Sequence, residues 1–419
     1  MQNKSCDVVI VGAGPAGSIA ARDIAKAGFD VLVVERKQEI GPPKRCAEGI
    51  NVRGLLNVGV KPDPRWAAKG IYGAVIYFPN GKSLKIDQRK VPDDVMDAIY
   101  SGEKKPALEP ATGYVLERKI FEKHLAADAI RAGARYMVKT CALDVIKDGG
   151  KIAGITAEQM GEKFEIRSKI VVAADGVDSR IAKSAGINTT NKLSDYHSGF
   201  QYEMAGLNID PDVLHIFFGN SLAPKGYVWI FPKGQDVANV GIGILGSMSE
   251  DGKRAKDYLD KFIESRPEVF KNASAIEMNA GGVPVSSSIE TFVADNFMII
   301  GDAAQLVNPI HGGGIAIAMN SGALCAKAAV EALKENDTSR EKLYAYEKKW
   351  RETDGVKMKK LLKLRAFLEK LTDEDMNKAA DIVSGEDITK LTDGNYRFLF
   401  KTLLTKAPSL LSLAKKFLS

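Results

Sequence analysis

Residues 6–36 read CDVVIVGAGPAGSIAARDIAKAGFDVLVVER, and this stretch decides the fold. Four apolar residues, Val8–Val11, are typical of a buried strand, and apolar or small residues then recur at helical spacing until Gly28. A second apolar strand, Val31–Val34, ends at Glu35. The order of strand, glycine-rich turn, helix and strand predicts a βαβ unit that holds a dinucleotide.

Each glycine of the turn has a mechanical role in such a unit. Gly12 permits the sharp turn, Gly14 lets the backbone approach a pyrophosphate, and Gly17 lets the helix lie close to the sheet. The first amides of the helix would bind the pyrophosphate. Glu35 is placed to accept hydrogen bonds from a ribose diol, and its charge would repel a 2′-phosphate. At this point NAD and FAD both stay open.

Composition limits the class of protein. The 419 residues are 45% hydrophobic and 27% charged, which is typical of a globular chain with two or three domains. No opening segment has the order of a signal peptide, and the most apolar region, residues 299–333, is interrupted by polar residues and glycines, which predicts buried core. The net charge of +6 slightly favours an anionic partner such as a lipid surface, and we predict no nucleic-acid partner.

The cysteines are scattered. The chain has four of them and no CxxC pair, so we predict neither a metal site nor a disulfide framework, and a reducing, cytoplasmic location. Cys46 lies in the loop IGPPKRCAEGI, residues 40–50, directly after Lys44 and Arg45. Cations beside a thiol favour its reactive thiolate form. A loop cysteine without chemistry would look the same, so both interpretations stay open.

The middle of the chain is rich in strands. A hairpin is predicted over Gly70–Asp87, a polar surface excursion over Gln88–Glu109 and a helix over Arg118–Ala132. The segments ALDVI, KIAGITAE and KFEIR predict an antiparallel meander ahead of a separate core strand that begins at Lys169. That core strand leads into a turn with Asp175.

An aromatic stripe follows in the segment GYVWIFPKG. Tyr227, Trp229 and Phe231 alternate, so all three rings project from one face of a strand. Such a stripe occurs in sheet cores as well as in ligand walls. The proline and glycine that end the strand suit the rim of a pocket, and we predict that the three rings line a long apolar pocket.

A second anchor for a ligand is DNFMIIGDAAQLVNPIHGGGIAIAMNSG, residues 295–322. Its strand delivers Asp302 to the carboxyl end of the sheet, where ligands of open α/β sheets bind. Gly312, Gly313 and Gly314 precede a long apolar helix, and this predicts close backbone approach and free amides aimed at one point.

The motifs GAGPAG, ADGVDSR and IIGDAA, together with Glu35, resemble those of the FAD-dependent p-hydroxybenzoate hydroxylase-type superfamily over residues 1–335. The resemblance implies that FAD is the cofactor. It also implies that Asp302 binds the ribityl chain of the flavin, and that Asp175 lies between the cofactor and donor-binding regions.

KRCAEGI, GYVWIFPKG and NPIHGGGIAIAMNSG are similar to motifs of the geranylgeranyl reductases within that superfamily. The family's loop usually has a second glycine directly after the cysteine, and Ala47 and Glu48 depart from this. By this resemblance the following residues fall at flavin-contacting positions: Ala16, Glu35, Cys46, Ala47, Gly49, Arg118, Ala142, Asp302, Gly314 and Ile315.

The resemblance also implies an architecture. We expect an α/β fold with a discontinuous Rossmann-type FAD-binding domain, formed by residues 1–69, 108–190 and 280–335. An inserted antiparallel β-sheet substrate domain would comprise residues 70–107 and 191–279. Residues 336–419 would form a helical C-terminal region, which is basic and serves either as a cap on the sheet or as an amphipathic surface on lipid headgroups.

Members of the family hydrogenate isolated double bonds of geranylgeranyl chains. The absence of a transit peptide favours the archaeal ether-lipid branch, whose typical substrate is digeranylgeranylglycerophospholipid and whose products carry saturated phytanyl chains. An isolated alkene is electron-rich, so hydride addition to one carbon requires an acid that protonates the other. Cys46 is the candidate for a catalytic role, although orientation of the flavin would explain it equally well.

Three other functions fit the same scaffold. An aromatic monooxygenase would consume O₂, a flavin halogenase would also need chloride, and a flavoprotein that only binds isoprenoids would never be reoxidised by an alkene. The partners we expect are a geranylgeranyl lipid, an electron donor that is a reduced nicotinamide, a ferredoxin or another reductase, and a membrane surface. The expected location is the cytoplasm, peripheral on the cytoplasmic membrane face.

Overall fold

A computed structural model of the chain describes residues 3–44, 46–87, 96 and 108–381. Most of the excursion predicted over Gln88–Glu109, and the basic segment after residue 381, lie outside the described residues. The strands are β1 (Lys4–Val11), β2 (Val31–Val34), β3 (Gly49–Asn51), β4 (Ala67–Ile71), β5 (Gly73–Tyr77), β6 (Ser83–Asp87), β7 (Gly113–Leu116), β8 (Arg135–Met137), β9 (Thr140–Asp148), β10 (Lys151–Gln159), β11 (Glu162–Ala173), β12 (Tyr196–Ala205), β13 (Leu214–Phe218), β14 (Tyr227–Pro232), β15 (Val237–Leu245), β16 (Ser274–Pro284), β17 (Val293–Ala294) and β18 (Phe297–Ile299).

The helices alternate with these strands and then dominate the C-terminal part. They are α1 (Pro15–Lys26), α2 (Val52–Leu56), α3 (Arg118–Arg131), α4 (Arg180–Ser184), α5 (Ala255–Glu264), α6 (Pro267–Phe270), α7 (Ile315–Lys334), α8 (Arg340–Glu352), α9 (Asp354–Leu368) and α10 (Asp373–Ala380). The chain is therefore of the α/β class, as predicted.

The cofactor sheet contains the first βαβ unit. Its core strands run in the order β18–β11–β1–β2–β8 and are all parallel, and β17 pairs antiparallel with β18 at one edge. The apolar residues of β1 and β2 are buried, because helices cover a parallel sheet on its faces. α1 lies so close to α7 that a Cβ on Gly322 would be 2.3 Å from the carbonyl oxygen of Ala16.

One predicted boundary in this sheet is wrong. The segment KFEIR and the core strand expected from Lys169 form one twelve-residue strand, β11. Its first half pairs antiparallel with β10, and from Ile166 onward it pairs parallel with β1. Ser5 and Cys6 at the start of β1 pair with Arg167 and Ser168, so the strand continues through the predicted boundary.

The substrate sheet has the order β16–β12–β15–β14–β13–β5–β6. Its pairs are antiparallel except β13 with β5, which are parallel, since β5 comes from a hairpin much earlier in the chain. In β14 the alternate residues Val228 and Ile230 are buried in the core beneath α5. β16 continues to Pro284, so this sheet extends past residue 279.

A third, small sheet has three strands in the order β3–β7–β4. Because β4 spans Ala67–Ile71, the division expected between residues 69 and 70 falls inside a strand. Helices α8 and α9 pack against the cofactor sheet, whereas α10 contacts the substrate sheet, where the Asn80 amide donates to Asn377 Oδ1 at 2.9 Å.

Helix α7 is long and apolar enough to cross a membrane by length and composition alone, the only such helix among the residues described here. In the fold more than half of it is buried, against α1 and α8. It is therefore the core helix that the interrupted apolar region predicted.

Candidate active site

The glycine-rich turn before α1 packs backbone against backbone. Gly12 has a φ of +108°, and a Cβ there would lie 2.3 Å from the carbonyl oxygen of Ala174. A Cβ on Gly17 would lie 2.1 Å from the Gly12 carbonyl oxygen. A Cβ on Gly14 would meet nothing within 4 Å. The turn is therefore closed at Gly12 and Gly17 and open at Gly14, where the helix presents its first amides.

Glu35 closes one side of this turn. Its buried carboxylate accepts a bond from the Ala13 amide at 3.0 Å through Oε2 and one from the Lys37 amide at 2.9 Å through Oε1. Each carboxylate oxygen can accept a second bond, so a diol can still be held there. Ala142 lies on β9, two residues after Thr140, whose amide donates to the Glu35 carbonyl at 2.8 Å.

Asp302 lies across the turn, directly after β18. Its carboxylate has no hydrogen-bond or ion-pair partner within residues 3–44, 46–87 and 108–381. Burial raises the pKa of this carboxyl, and the nearby Arg118 guanidinium opposes the rise. A Cβ on Gly314 would be 3.3 Å from Asp302 Oδ1, so the acid faces the start of α7. This half-buried carboxylate has no donor among the described residues, so it is available to a ligand that supplies hydroxyl groups.

The glycine run before α7 only partly matches its prediction. The Gly312 amide donates to the Asn308 carbonyl at 2.9 Å, and the Gly313 amide donates to His311 Nδ1 at 3.1 Å. The expectation of three free amides is therefore wrong, because the loop uses two of them to hold its own shape. Gly314 caps the helix that begins at Ile315, and these two residues are left to face a ligand.

Cys46 lies at the other side of the same space. Its Sγ accepts a bond from the Glu48 amide at 3.1 Å, and the Arg118 guanidinium lies nearby. Burial lowers the pKa of Arg118, but Glu122, whose Oε1 is 2.5 Å from Arg118 Nε, and Cys46 together hold it above its usual value. Arg118 therefore stays a cation that adjoins both Cys46 and Asp302.

The aromatic stripe of β14 faces these loops. Its rings alternate with buried residues, so the prediction that they share one face is confirmed. The Tyr227 hydroxyl donates to the His311 carbonyl at 2.6 Å, and a Cβ on Gly49 would be only 2.9 Å from the Phe231 ring. Burial raises the pKa of Tyr227, so its hydroxyl stays protonated and able to donate. Trp229, between them, donates from Nε1 to Gln201 at 2.9 Å.

Comparison with known proteins identifies the family. Residues 195–283 match the model described as geranylgeranyl reductase catalytic domain, and residues 7–195 match that of FAD dependent oxidoreductase. The chain is 43% identical over 406 residues to digeranylgeranylglycerophospholipid reductase of Methanothrix thermoacetophila, covering 97% of each chain. The chain belongs to the digeranylgeranylglycerophospholipid reductase family.

Solved structures agree with this family. A geranylgeranyl bacteriochlorophyll reductase-like protein of Thermoplasma acidophilum is 36% identical, with a TM-score of 0.87 over 100% of both chains. The flavin-dependent brominase Bmp2 is 21% identical, with a TM-score of 0.71 over 93% of this chain and 94% of its own. At that identity the brominase shows a shared fold alone.

The residues present fit the FAD of this family. The open space at Gly14 can take a pyrophosphate. The carboxylate of Asp302 can accept bonds from a ribityl chain, and the remaining acceptor positions on Glu35 can accept bonds from a ribose. Ala16 lies beside the same space, since a Cβ placed on Gly301, next to Asp302, would be 3.0 Å from the Ala16 Cβ. Contacts of the individual predicted residues with the flavin stay predictions.

Asp175 has a different environment from the other acids. Its carboxylate accepts bonds from the Ser179 hydroxyl at 2.7 Å and from the amides of Arg180 and Ile181 at 2.8 and 3.1 Å. These bonds cap α4 and fix the turn that follows β11. Its assignment to the cofactor stays a prediction, and what the structure shows is a capping role.

Sequence reasoning missed the role of the polar residues that hold the Cys46 loop. Lys44, Glu48 and Lys233 are buried, and all three belong to the motifs KRCAEGI and GYVWIFPKG, in which no ion pairs were predicted. Charged residues inside otherwise apolar motifs were the available signal, because such residues are rarely buried without partners. Gln201 and Asn239 gave no comparable signal.

Proposed function

We propose that this chain uses FAD to reduce the isolated double bonds of geranylgeranyl chains in archaeal ether phospholipids, which become saturated. The names of its relatives support this substrate class. The observation that carries the proposal is the closure of the aromatic strand on the cofactor loops: Phe231 covers Gly49, and Tyr227 donates to His311. An apolar wall thereby lies directly beside the reacting end of the site.

The cofactor half of the site would bind FAD through the turn at Gly14, through Glu35 and through Asp302. When bound and reduced, FAD supplies the hydride for the reaction. The chain's own groups orient the cofactor, exclude water and provide the proton.

The aromatic half would bind the prenyl chain. Trp229 lies across Gly241, where a Cβ would be 2.4 Å from the indole, so the ring is fixed as part of a wall. Each CH₂ of a prenyl chain that leaves water contributes about 0.8 kcal/mol. A C20 chain therefore binds firmly to an apolar surface without polar contacts, and the same surface keeps water from the reduced cofactor.

Cys46 would donate the proton. One alkene carbon gains the hydride and the other gains the proton of the thiol, so two electrons and two hydrogens are added across the bond. The thiolate that remains would be stabilised by the Glu48 amide, which already donates to Sγ, and by the charge of the nearby Arg118 guanidinium. Solvent then returns the proton.

The test is anaerobic incubation of the dithionite-reduced holoprotein with digeranylgeranylglycerophospholipid, followed by mass spectrometry of the lipid. We expect a mass gain of about two units for each bond that is reduced. No gain, with flavin reoxidation only when O₂ is admitted, would favour a monooxygenase or halogenase instead.

Cysteine variants test the proton donor separately. Cys46→Ser should reduce the lipid at least about a hundredfold more slowly, because a hydroxyl is a far weaker acid than a thiol. Cys141→Ser is the matched control, since Cys141 is also a half-buried free cysteine but lies on β9. Near-normal turnover by Cys46→Ser would refute the catalytic role of the thiol.

Membrane association forms part of the proposal, supported by the net charge of +6 and by the lipid nature of the relatives' named substrate. The holoprotein should co-sediment with anionic liposomes at low salt and be released at high salt.

The electron donor can be identified by assaying lipid reduction with different donors. Activity with a reduced nicotinamide alone, or with a ferredoxin alone, would identify that compound as the donor.

A further inference from the structure

The loop that carries Cys46 is held by a buried group of charged side chains, which we call the ionic anchor. It comprises Lys44, Glu48, Glu117, Glu203 and Lys233. Lys44 Nζ is 3.1 Å from Glu48 Oε2 and also pairs with Glu203. Lys233 Nζ is 3.0 Å from Glu48, 2.8 Å from Glu117 and 3.1 Å from Glu203. The side chains of Lys44 and Glu48 are fully buried.

These charges are expensive to bury, so packing stability is a poor explanation for them. Replacing buried ion pairs by apolar groups of similar volume is often neutral or stabilising. The five residues come from both halves of the molecule: Lys44, Glu48 and Glu117 flank the cofactor side, whereas Glu203 and Lys233 belong to the substrate sheet. The ionic anchor therefore fixes the position of one half against the other.

Glu48 is the member that reaches Cys46. Its φ is +71°, a left-handed conformation that costs a non-glycine residue about 1–2 kcal/mol. In this conformation its amide donates to Cys46 Sγ at 3.1 Å. Its Oε1 accepts from the Arg118 amide at 2.8 Å, while its Oε2 is held by the two lysines. The carboxylate thus maintains the backbone conformation that aims the amide at the sulfur.

The same bonds continue to the aromatic wall. Asn239 Nδ2 donates to Glu48 Oε2 at 2.8 Å, and Asn239 Oδ1 accepts from Gln201 Nε2 at 3.0 Å. Gln201 Nε2 also donates to the Cys46 carbonyl at 3.1 Å, and its Oε1 accepts from Trp229 Nε1 at 2.9 Å. The orientation of the indole and the position of the sulfur are therefore set by one continuous network.

We propose that Glu48 is a positioning residue: held by Lys44 and Lys233, its carboxylate fixes the Cys46 sulfur in register with Trp229. The inference rests on the proposed function for the reaction that this register serves. The position of the Cys46 sulfur depends only on the chain's own residues, so the role of Glu48 can be tested without any lipid.

The test compares Glu48→Gln with wild type in the holoprotein. The readout is the rate at which Cys46 is alkylated by iodoacetamide at pH 7, followed by peptide mass spectrometry. Loss of a negative charge alone would make the thiolate easier to form and the alkylation faster. Loss of the amide bond to Sγ removes a stabilising donor, and we expect alkylation about tenfold slower. An unchanged or faster rate would overturn the proposal.

Glu277→Gln is the matched control. The Glu277 carboxylate lies 3.9 Å from the same Lys44 Nζ and pairs with Lys119, but among the described residues it bonds to neither Glu48 nor Cys46. We expect its alkylation rate to stay within about twofold of wild type. A tenfold decrease in this variant as well would show that any charge lost near Lys44 has the same effect, and would overturn the role of Glu48.

A double variant separates positioning from folding. Glu48→Gln with Lys44→Met removes one cation together with the anion and should recover resistance to urea if Glu48→Gln alone is destabilised. Alkylation of Cys46 should remain slow, because the carboxylate that holds the loop is still missing. Recovery of the wild-type alkylation rate in the double variant would show that Glu48 acts only through charge balance.

Turnover links the two proposals while keeping them distinguishable. In Glu48→Gln we expect kcat for lipid reduction to fall about tenfold with KM changed by less than about twofold, since none of the aromatic residues of the prenyl wall is replaced. If wild type reduces no prenyl lipid, the proposed function fails while the alkylation result still decides the positioning role.

Discussion

The two loops that meet at the active site are built in opposite ways. The turn at residues 12–17 depends on missing side chains, since Cβ atoms on Gly12 or Gly17 would lie 2.3 Å or less from backbone oxygens. The loop that carries Cys46 depends on charged side chains, because Lys44 and Glu48 are buried and hold it through ion pairs. The cofactor turn should therefore fail when an atom is added, and the Cys46 loop when a charge is lost.

The largest effect is expected from Gly12→Ala. The added methyl would lie 2.3 Å from the Ala174 carbonyl oxygen, and a φ of +108° is strained for alanine. We therefore expect the free energy of unfolding to fall by more than about 3 kcal/mol and the purified protein to lack bound flavin. Flavin absorbance per protein after purification measures the effect.

Two further glycine variants serve as controls for that result. Gly28→Ala has the same sign of φ, +90°, but nothing within 4 Å of its Cβ, so it should retain flavin. Gly14→Ala should fold normally and still lose flavin affinity, because its Cβ would enter only the open space. If Gly14→Ala bound flavin as tightly as wild type, the open space at Gly14 would not be the pyrophosphate site.

The substrate half should respond to acid, because it buries histidines. Burial, with Arg365 nearby, lowers the pKa of His197 from 6.5 to about 4. Between pH 6.5 and 4 the unfolded chain binds more protons at this site than the native protein, so stability is lost as the pH falls. The loss reaches up to about 3 kcal/mol, at roughly 1.4 kcal/mol per pH unit.

His197→Gln should reduce the acid dependence of the free energy of urea unfolding by about one proton's contribution. His215, whose pKa burial also lowers, would retain its own contribution. The slope of unfolding free energy against pH, measured in flavin-loaded protein from pH 4.5 to 6.5, checks this. An identical slope in the variant would mean that His197 does not titrate as described.

A smaller effect is expected from Gly241→Ala. Its methyl would lie 2.4 Å from the Trp229 indole, so the ring must move, and kcat/KM for lipid should fall about tenfold while flavin stays bound. Gly243→Ala is the matched control on the same strand, because its nearest contacts are an ordinary 3.8 Å. Equal losses in both variants would argue against a specific role for the indole position.

The smallest effect is expected from Glu35→Gln. The amide oxygen can still accept one of the two backbone bonds, from Ala13 or from Lys37, but without charge assistance, and the amide nitrogen cannot accept the other. We expect FAD affinity to fall roughly tenfold, about 1.4 kcal/mol, with the fold intact. Titration of the apoprotein with FAD measures this, and a loss of more than about a thousandfold would indicate that Glu35 also supports the turn itself.

Prediction from sequence succeeded where the information is local. The βαβ unit, the strand carrying Tyr227, Trp229 and Phe231, and the start of α7 all follow from periodicity and glycine placement within a few residues. It failed at β11, where two segments predicted as separate strands form one strand, because Arg167 and Ser168 between them pair with Ser5 and Cys6 of β1. It also failed at Gly312 and Gly313, whose amides are used by neighbours in the loop.

The sequence by itself determined the family, the cofactor turn and the order of the elements, because these depend on the spacing of residues that are close in the chain. Only the tertiary structure decided how Glu48 meets Lys233, and how Tyr227 meets His311, across separations of more than eighty residues. Ion pairs and hydrogen bonds of this kind have no sequence period, since they depend on where folding places each side chain. The shape of the active site is therefore a property of the fold.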